Sequence, residues 1–523
     1  MKLPNLEQYL RALQLPASRI FTDPVLKAGR IETNALGTPR ARSGNFALVF
    51  RIDSGDQSLA IRCFTRTSRE IAARYAAISS LTRRLRLPGQ PNVFLPFEYQ
   101  ANGILVEGQH FPIVKMGWSG GRSLGDFLSE HHLDKARLRL LRDSLARLAA
   151  FLESKGVAHG DIQPGNVMVS DDARQLWLID YDGMYVPELD GFDAAELGHV
   201  NFQHPLRNEH HFNDQLDRFS FILLDTALAV LIEEPTLWER TYSDEEGIVF
   251  RAGDLAQPLQ SQTFALTVKM PAVASRVRAL AEICMGPFEA IPRLTDFQEQ
   301  FAASTAPSQG PAAPIPERVF EPEQRVARTA AEAAPISPPV YVGSYEVVPA
   351  SSFIKVSQQV GKRVELIGKV VDVRAGKSSF QGKPALRPYI YVDFSELSSG
   401  RVVRIKMLPE FLEAHAKNAA QLPNTRWLGK WVTISEVIQP VQYIKHPAFA
   451  GGIGEASVCP NHPGQMRLIS EEEARFRLAS NNQAARARLK TRAVSTRAPS
   501  ASPRGTRVAP NRNMSILERL KNL

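Results

Sequence analysis

The chain has 523 residues, with 63 Lys and Arg against 54 Asp and Glu, a formal net charge of +9 with His neutral. A hydrophobic content of 44% supports packed cores, and the length suits two or three domains. Three widely spaced cysteines (Cys63, Cys284, Cys459), a start without a secretory apolar run, and a longest apolar stretch of fourteen residues (Phe219–Ile232, holding an Asp) argue against a disulfide scaffold, a secreted protein and a membrane span; a cytoplasmic protein without a membrane partner is expected.

Residues 1–29 read as an N-terminal extension. Ser43-Gly44-Asn45-Phe46-Ala47-Leu48-Val49 reads as a turn entering a strand, and Leu59-Ala60-Ile61-Arg62 as a strand that carries a cation. Phe111-Pro-Ile-Val-Lys-Met116-Gly-Trp118 is a further strand. His159-Gly-Asp-Ile-Gln-Pro-Gly-Asn166 is a loop with Asp161 and Asn166 five residues apart, and Leu178-Ile-Asp180 follows at the end of an apolar run. Asp217 precedes the apolar helix Phe219–Val230 and is suited to cap it.

Eight prolines and many alanines between Ala302 and Pro339 predict an extended linker over 304–344. An all-β unit over 345–469 follows. Its predicted strands are Val364–Val373, Tyr389–Phe394, Val402–Met407 and Trp431–Ile438, with a helix over Pro409–Ala420. Cys459 and His462 lack a four-ligand metal pattern and read as a loop. Residues 470–523 read as a largely disordered basic tail. Its last 43 residues hold ten Lys or Arg and one acid, Glu518, so residues 1–480 are net neutral. Such a tail serves either as a nucleic-acid arm or as a solvated surface. Ile516, Leu517, Leu520 and Leu523 share one helical face, which asks for a docking partner.

Asp161, Asn166 and Asp180 are the side chains that phosphoryl transfer needs. One carboxylate orients a hydroxyl, and an amide and a second carboxylate hold Mg²⁺ on a triphosphate. Their order and gaps resemble the H-R-D-x-x-x-x-N and D-F-G motifs of the protein-kinase superfamily. Gln203-His-Pro205, Asp217-Arg-Phe-Ser220, Cys284 and Pro292-Arg293-Leu-Thr295 match later kinase landmarks, so the resemblance covers about 30–303. Asp180–Pro187 and Gly198–Pro205 look like a divergent bacterial kinase-like family.

The kinase resemblance implies a bilobal protein-kinase-like fold. Gly361-Lys-Arg-Val-Glu-Leu-Ile-Gly-Lys-Val and Leu428-Gly-Lys-Trp-Val-Thr-Ile resemble the opening and closing strands of an OB-fold. An α+β chain with an OB-like barrel and, from its composition, a disordered basic tail is therefore expected. The kinase resemblance also implies ATP and Mg²⁺ as cofactors and a protein substrate phosphorylated on Ser or Thr. Asp161, Asn166 and Asp180 are then catalytic, with Asn166 and Asp180 as metal ligands. Gly44, Val49, Ala60, Arg62 and Met116 are then the nucleotide contacts. Arg62 stands where kinases carry lysine, Gly160 where they carry arginine, Gln163 for lysine and Asp182 for glycine, while Glu70 is the nearby acid for Arg62. These departures support the alternative of a pseudokinase scaffold.

Each residue also has a plainer reading. The acids suit turns, Arg62 suits a strand surface and Gly44 a hairpin. In the β unit, Tyr389, Tyr391, Phe394, Lys406, Trp427 and Lys430 are either a stacking and phosphate surface for single-stranded nucleic acid or ordinary barrel residues.

Overall fold

The structure is a computed structural model. It describes residues 3–43, 47–65, 71–86, 92–302, 341, 343, 345–380, 385–396, 400–415, 422–446 and 449–479. Gly44, Glu70, nearly all of the 304–344 linker and the chain from 480 onward lie outside the described residues. The described chain mixes helix and sheet, the α+β class expected.

The first part is an antiparallel sheet. Its strands are β1 (Arg30–Ile31), β2 (Ala41–Ser43), β3 (Ala47–Ser54), β4 (Gln57–Phe64), β5 (Phe97–Val106) and β6 (Gln109–Gly117), in the order β1-β3-β4-β6-β5 with β2 beside β3. Side chains alternate between its faces. Leu48, Phe50, Ile52, Ile61 and Ile113 point to one face, which helix α1 (Leu6–Leu13) covers with Leu6, Tyr9, Leu10 and Leu13. Asn5 and Gln8 cap α1 reciprocally. The N-terminal segment is therefore part of this core rather than an appendage. Helix α2 (Ile71–Leu85) lies on the opposite face, with Tyr75, Ile78 and Leu81 in the second core.

Register places the expected nucleotide contacts on that opposite face. Val49 pairs with Arg62 across β3–β4, and Ala60 pairs with Met116 across β4–β6. Directly paired residues share a face.

A helical part follows: α3 (Leu124–His131), α4 (Lys135–Ser154), α5 (Arg218–Glu233), α6 (Ala274–Met285) and α7 (Leu294–Ala302). Every residue from Phe219 to Ile232 of α5 is buried, as an all-round apolar helix requires. A small sheet of β7 (Arg122–Ser123), β8 (Val167–Val169) and β9 (Leu176–Leu178) lies beside it. Among the described residues no helix is long and apolar enough to cross a membrane.

The C-terminal part holds two sheets around one core. The first is β10 (Glu346–Pro349), β11 (Arg363–Lys369), β15 (Trp431–Val437) and β18 (Met466–Ile469), in the order β10-β11-β15-β18. The second is β12 (Asp372–Ser379), β13 (Leu386–Asp393), β14 (Arg401–Met407), β16 (Gln442–His446) and β17 (Phe449–Val458), in the order β12-β13-β14-β17-β16. β14 and β17 run parallel. A short helix, Pro409–Ala414, leads out of β14.

The fold corrects two expectations and adds a hairpin beyond them. The strand expected over 364–373 is two strands in different sheets, because the chain passes from one sheet to the other at Val370 and Val371. The β16–β17 hairpin has no clear sequence signal, since Gly451, Gly452 and Gly454 dilute its pattern. The tail does not begin at 470: Glu471–Ala479 forms helix α8, with Arg477 almost fully buried.

Candidate active site

The loop from His159 to Asn166 is held by buried groups. Asp217 is the N-cap residue of α5, but its side chain makes no capping bond to that helix. Its carboxylate instead accepts the His159 N–H at 2.5 Å and the Gly160 N–H at 2.8 Å. Burial pushes the Asp217 carboxyl upward, against the pull of His159 and these donors. His159 is fully buried and its Nε2 meets the Ile179 carbonyl at 2.9 Å, while the Ile179 N–H donates to the Asn166 carbonyl at 3.0 Å. The two expected motifs are thus stitched together by backbone groups.

Gly160 has φ +77°, and a Cβ there would collide with the Gly183 carbonyl. Glycine is required by both conformation and space. Its carbonyl accepts from buried Arg207 at 2.7 Å. Burial drags the Arg207 guanidinium down to about 10, although Asp217 and Asp161 oppose the shift.

Asp161 and Asn166 are brought together. The Asn166 amide donates to the Asp161 carboxylate at 2.9 Å and to its carbonyl at 3.0 Å. That leaves the Asn166 amide oxygen as an acceptor. Gln163 donates to the same carboxylate oxygen at 3.0 Å, and the His199 N–H donates to the other at 2.6 Å.

Asp180 sits at φ +65° and ψ +72°, a left-handed conformation that Asp tolerates better than most residues. Its side chain is 35% exposed and ion-pairs with Arg62. Arg62 also grips Asp182 with both terminal nitrogens, and the Tyr75 hydroxyl of α2 donates to Asp182. The plain surface reading of Arg62 is therefore wrong: it is buried and holds two carboxylates. Asp182 and Tyr75 fill the partner role for which sequence offered only Glu70. An acid at the position where the resemblance implies glycine was the available signal.

Glu196, from the segment after Asp182, lies within the field of this cluster. Burial first, and then Asp182 and Asp180, push its carboxyl up to about 9. Burial and the neighbouring carboxylates together favour its protonated form. No sequence signal marks Glu196.

The half-buried Val49, Ala60 and Met116 face this cluster from the sheet. Trp118 carries two guanidinium groups over its ring, Arg42 at 4.7 Å and Arg51 at 5.3 Å from the ring centre. The Gly117 and Trp118 N–H groups bond to the Pro96 and Ser58 carbonyls.

The donor set fits a hard cation. The Asn166 amide oxygen and the Asp180 carboxylate are oxygen ligands, and the site carries more acid than base. Among the described residues no three His, Cys, Asp or Glu side chains form a ready metal cage. Mg²⁺ needs none, since it is commonly held by one or two protein ligands plus phosphate oxygens.

In the C-terminal part, Phe394, Trp427 and Lys406 are buried, and Lys406 pairs with Glu455. They belong to the interior, not to a stacking surface. Tyr389 and Tyr391 pack against each other at 4.7 Å and stay partly accessible, and Lys430 is exposed. Cys459 and His462 lie in the loop after β17, where His462 meets Asp126 of α3 at 2.9 Å. No protein-family model matches this chain, and no curated protein does.

Proposed function

We propose that this protein is a kinase-like phosphotransferase that moves a phosphoryl group from Mg²⁺-bound ATP to a Ser or Thr hydroxyl of a protein. One observation carries the reading: the Ile179–Asn166 backbone bond joins the Asp161–Asn166 loop, braced by Asp217, to the strand end that carries Asp180, which pairs with Arg62. In this reading Asp161 orients the hydroxyl and accepts its proton. Asn166 and Asp180 hold the cation, which would neutralise charge on the phosphates. Arg62 supplies positive charge from the sheet, and Val49, Ala60 and Met116 bound the base. The sheet part and the helical part are then the two lobes of a kinase-like fold. The strand order β12-β13-β14-β17-β16, with β14 parallel to β17 and β11 antiparallel to β15, supports an OB-like reading of the C-terminal part.

A second reading has its own observation. Arg62 already neutralises Asp180, and the N–H groups of Gly117 and Trp118 are engaged. Both suit a pseudokinase scaffold that engages nucleic acid or a partner protein through Tyr389, Tyr391, Lys430 and the basic tail. Incubation with labelled ATP and Mg²⁺ separates the two. The enzyme reading requires label on protein that Asp180→Ala abolishes; equal labelling, or none, supports the scaffold.

A further inference from the structure

The C-terminal part is not a free module on a linker. It grips one tight loop of the helical part, Asp244-Glu245-Glu246, and each of the three acids has its own partner. Asp244 accepts from Arg477 of α8 at 3.0 Å and from Arg251 at 2.9 Å. Arg477 is itself fixed by Glu365 of β11 at 2.7 Å and by the Tyr341 hydroxyl at 2.8 Å. Glu245 accepts from Arg363 of β11 at 3.3 Å. The Glu246 carboxylate meets His199 Nε2 at 3.1 Å, and its charge also acts on Arg363 and Tyr345 of the C-terminal part.

The loop transmits position because it is closed on itself. Asp244 and Gly247 exchange backbone hydrogen bonds at 3.0 and 3.3 Å, and the Glu246 N–H donates to the Asp244 carboxylate at 3.0 Å. A shift of Asp244 therefore carries Glu246 with it. His199 is also determined on both sides. Its Nδ1 accepts the Asn201 N–H at 3.1 Å, so its Nε2 bears the proton given to Glu246. The Asn201 amide in turn donates to the Glu246 carbonyl at 2.5 Å. The next link is the His199 N–H on Asp161 at 2.6 Å. Gly198 is pressed against the same carboxylate, where a Cβ would lie 2.8 Å from Asp161 Oδ1.

We propose that Glu246 and His199 are positioning residues for Asp161, and that the C-terminal β part sets their place through Arg363 and Arg477. The chemistry stays in the first two parts, and the third holds the segment that aims the base. A phosphotransferase built this way depends on a docked C-terminal part. This inference rests on the reading of Asp161 as the base. The linkage itself is structural and can be measured without activity.

The test uses the full chain and two readouts. Amide hydrogen exchange is followed in peptides covering 196–203, with 218–233 as the internal control. Phosphoryl transfer is followed as kcat and as KM for ATP. Glu246→Ala and Arg363→Met should each raise exchange in 196–203 about fivefold or more, the low end of a typical coupling between sites, and leave 218–233 unchanged. kcat should fall by a similar factor while KM for ATP stays within about twofold. Glu246→Gln, which keeps an oxygen acceptor for His199, should restore most of both. Unchanged exchange in 196–203 overturns the proposal, and so does an equal rise in 218–233, which marks general destabilisation. If the wild-type chain transfers no phosphate, the phosphotransferase reading fails, and the exchange arm alone decides whether the linkage exists.

Discussion

Asp217 gives the most exposed prediction. Asp217→Asn keeps the shape of the side chain but presents one NH₂ group where two backbone N–H donors converge. One of the two bonds at 2.5 and 2.8 Å is broken, and a donor is turned against a donor. Buried Arg207 also loses the larger of its two compensating charges. A hydrogen bond to a charged group is worth about 1.5–3 kcal/mol, and an unmet buried donor costs about 1–3 kcal/mol. The sum, about 2.5–6 kcal/mol, moves the melting temperature of a domain of this size down by about 5–24 °C. The loop that carries Asp161 is displaced as well, and a misplacement near 1 Å costs about 10²-fold in rate. Thermal unfolding at neutral pH and single-turnover transfer read the two effects. A melting temperature within about 2 °C of wild type, with unchanged transfer, would show that Asp217 is only a helix-end residue.

Three further outcomes follow from the same geometry. Arg62→Ala should cost about 3–5 kcal/mol in chemical unfolding, because it leaves buried Asp182 unpaired, and should weaken ATP binding; Arg62→Lys should lose part of that stability, since an ammonium cannot form the fork on Asp182, yet keep ATP turnover. Glu196 holds its proton in the folded state up to about 9 and in the unfolded state only up to about 4.3. Its stabilising contribution is therefore full below the lower value and is lost as pH rises through the upper one, so Glu196→Gln should flatten that decline in a melting-temperature series. Deleting 481–523, which removes a net charge of +9, should flatten the salt dependence of oligonucleotide binding, by about 0.7–0.9 in slope for every phosphate the tail had neutralised; an unchanged slope counts against a nucleic-acid arm.

How much was legible in the sequence depends on the range of the interaction. Asp161, Asn166 and Asp180 were readable because a loop and a strand end fix their spacing locally. Val49, Ala60 and Met116 were readable because strand alternation decides their face. For Arg62 the sequence left the partner open, with Glu70, outside the described residues, as the nearby acid. The described partners of Arg62 are Asp180 and Asp182, and Asp182 is also held by Tyr75 of α2, from a segment joined to it only by tertiary packing. Glu196, His199 and Glu246 were invisible for the same reason. The aromatics of the C-terminal part illustrate the opposite error: Phe394 and Trp427 carry the chemistry of a binding surface, yet the fold places them in its interior. Helix α8 hid inside a basic tail because its one decisive residue, Arg477, resembles the basic residues that follow it. Its partners Glu365, Glu473, Asp244 and Tyr341 distinguish it.

The central claim is that Asp161, Asn166 and Asp180 form a working phosphoryl-transfer site. Its most direct test is transfer of label from ATP to protein, with Mg²⁺ present, by the wild-type chain, Asp161→Ala and Asp180→Ala. The account expects transfer by the wild type, a loss of about 10²–10⁴-fold in Asp161→Ala with ATP binding retained, and loss of Mg²⁺-dependent ATP binding in Asp180→Ala. Equal labelling by all three proteins, or no labelling by the wild type, would contradict it.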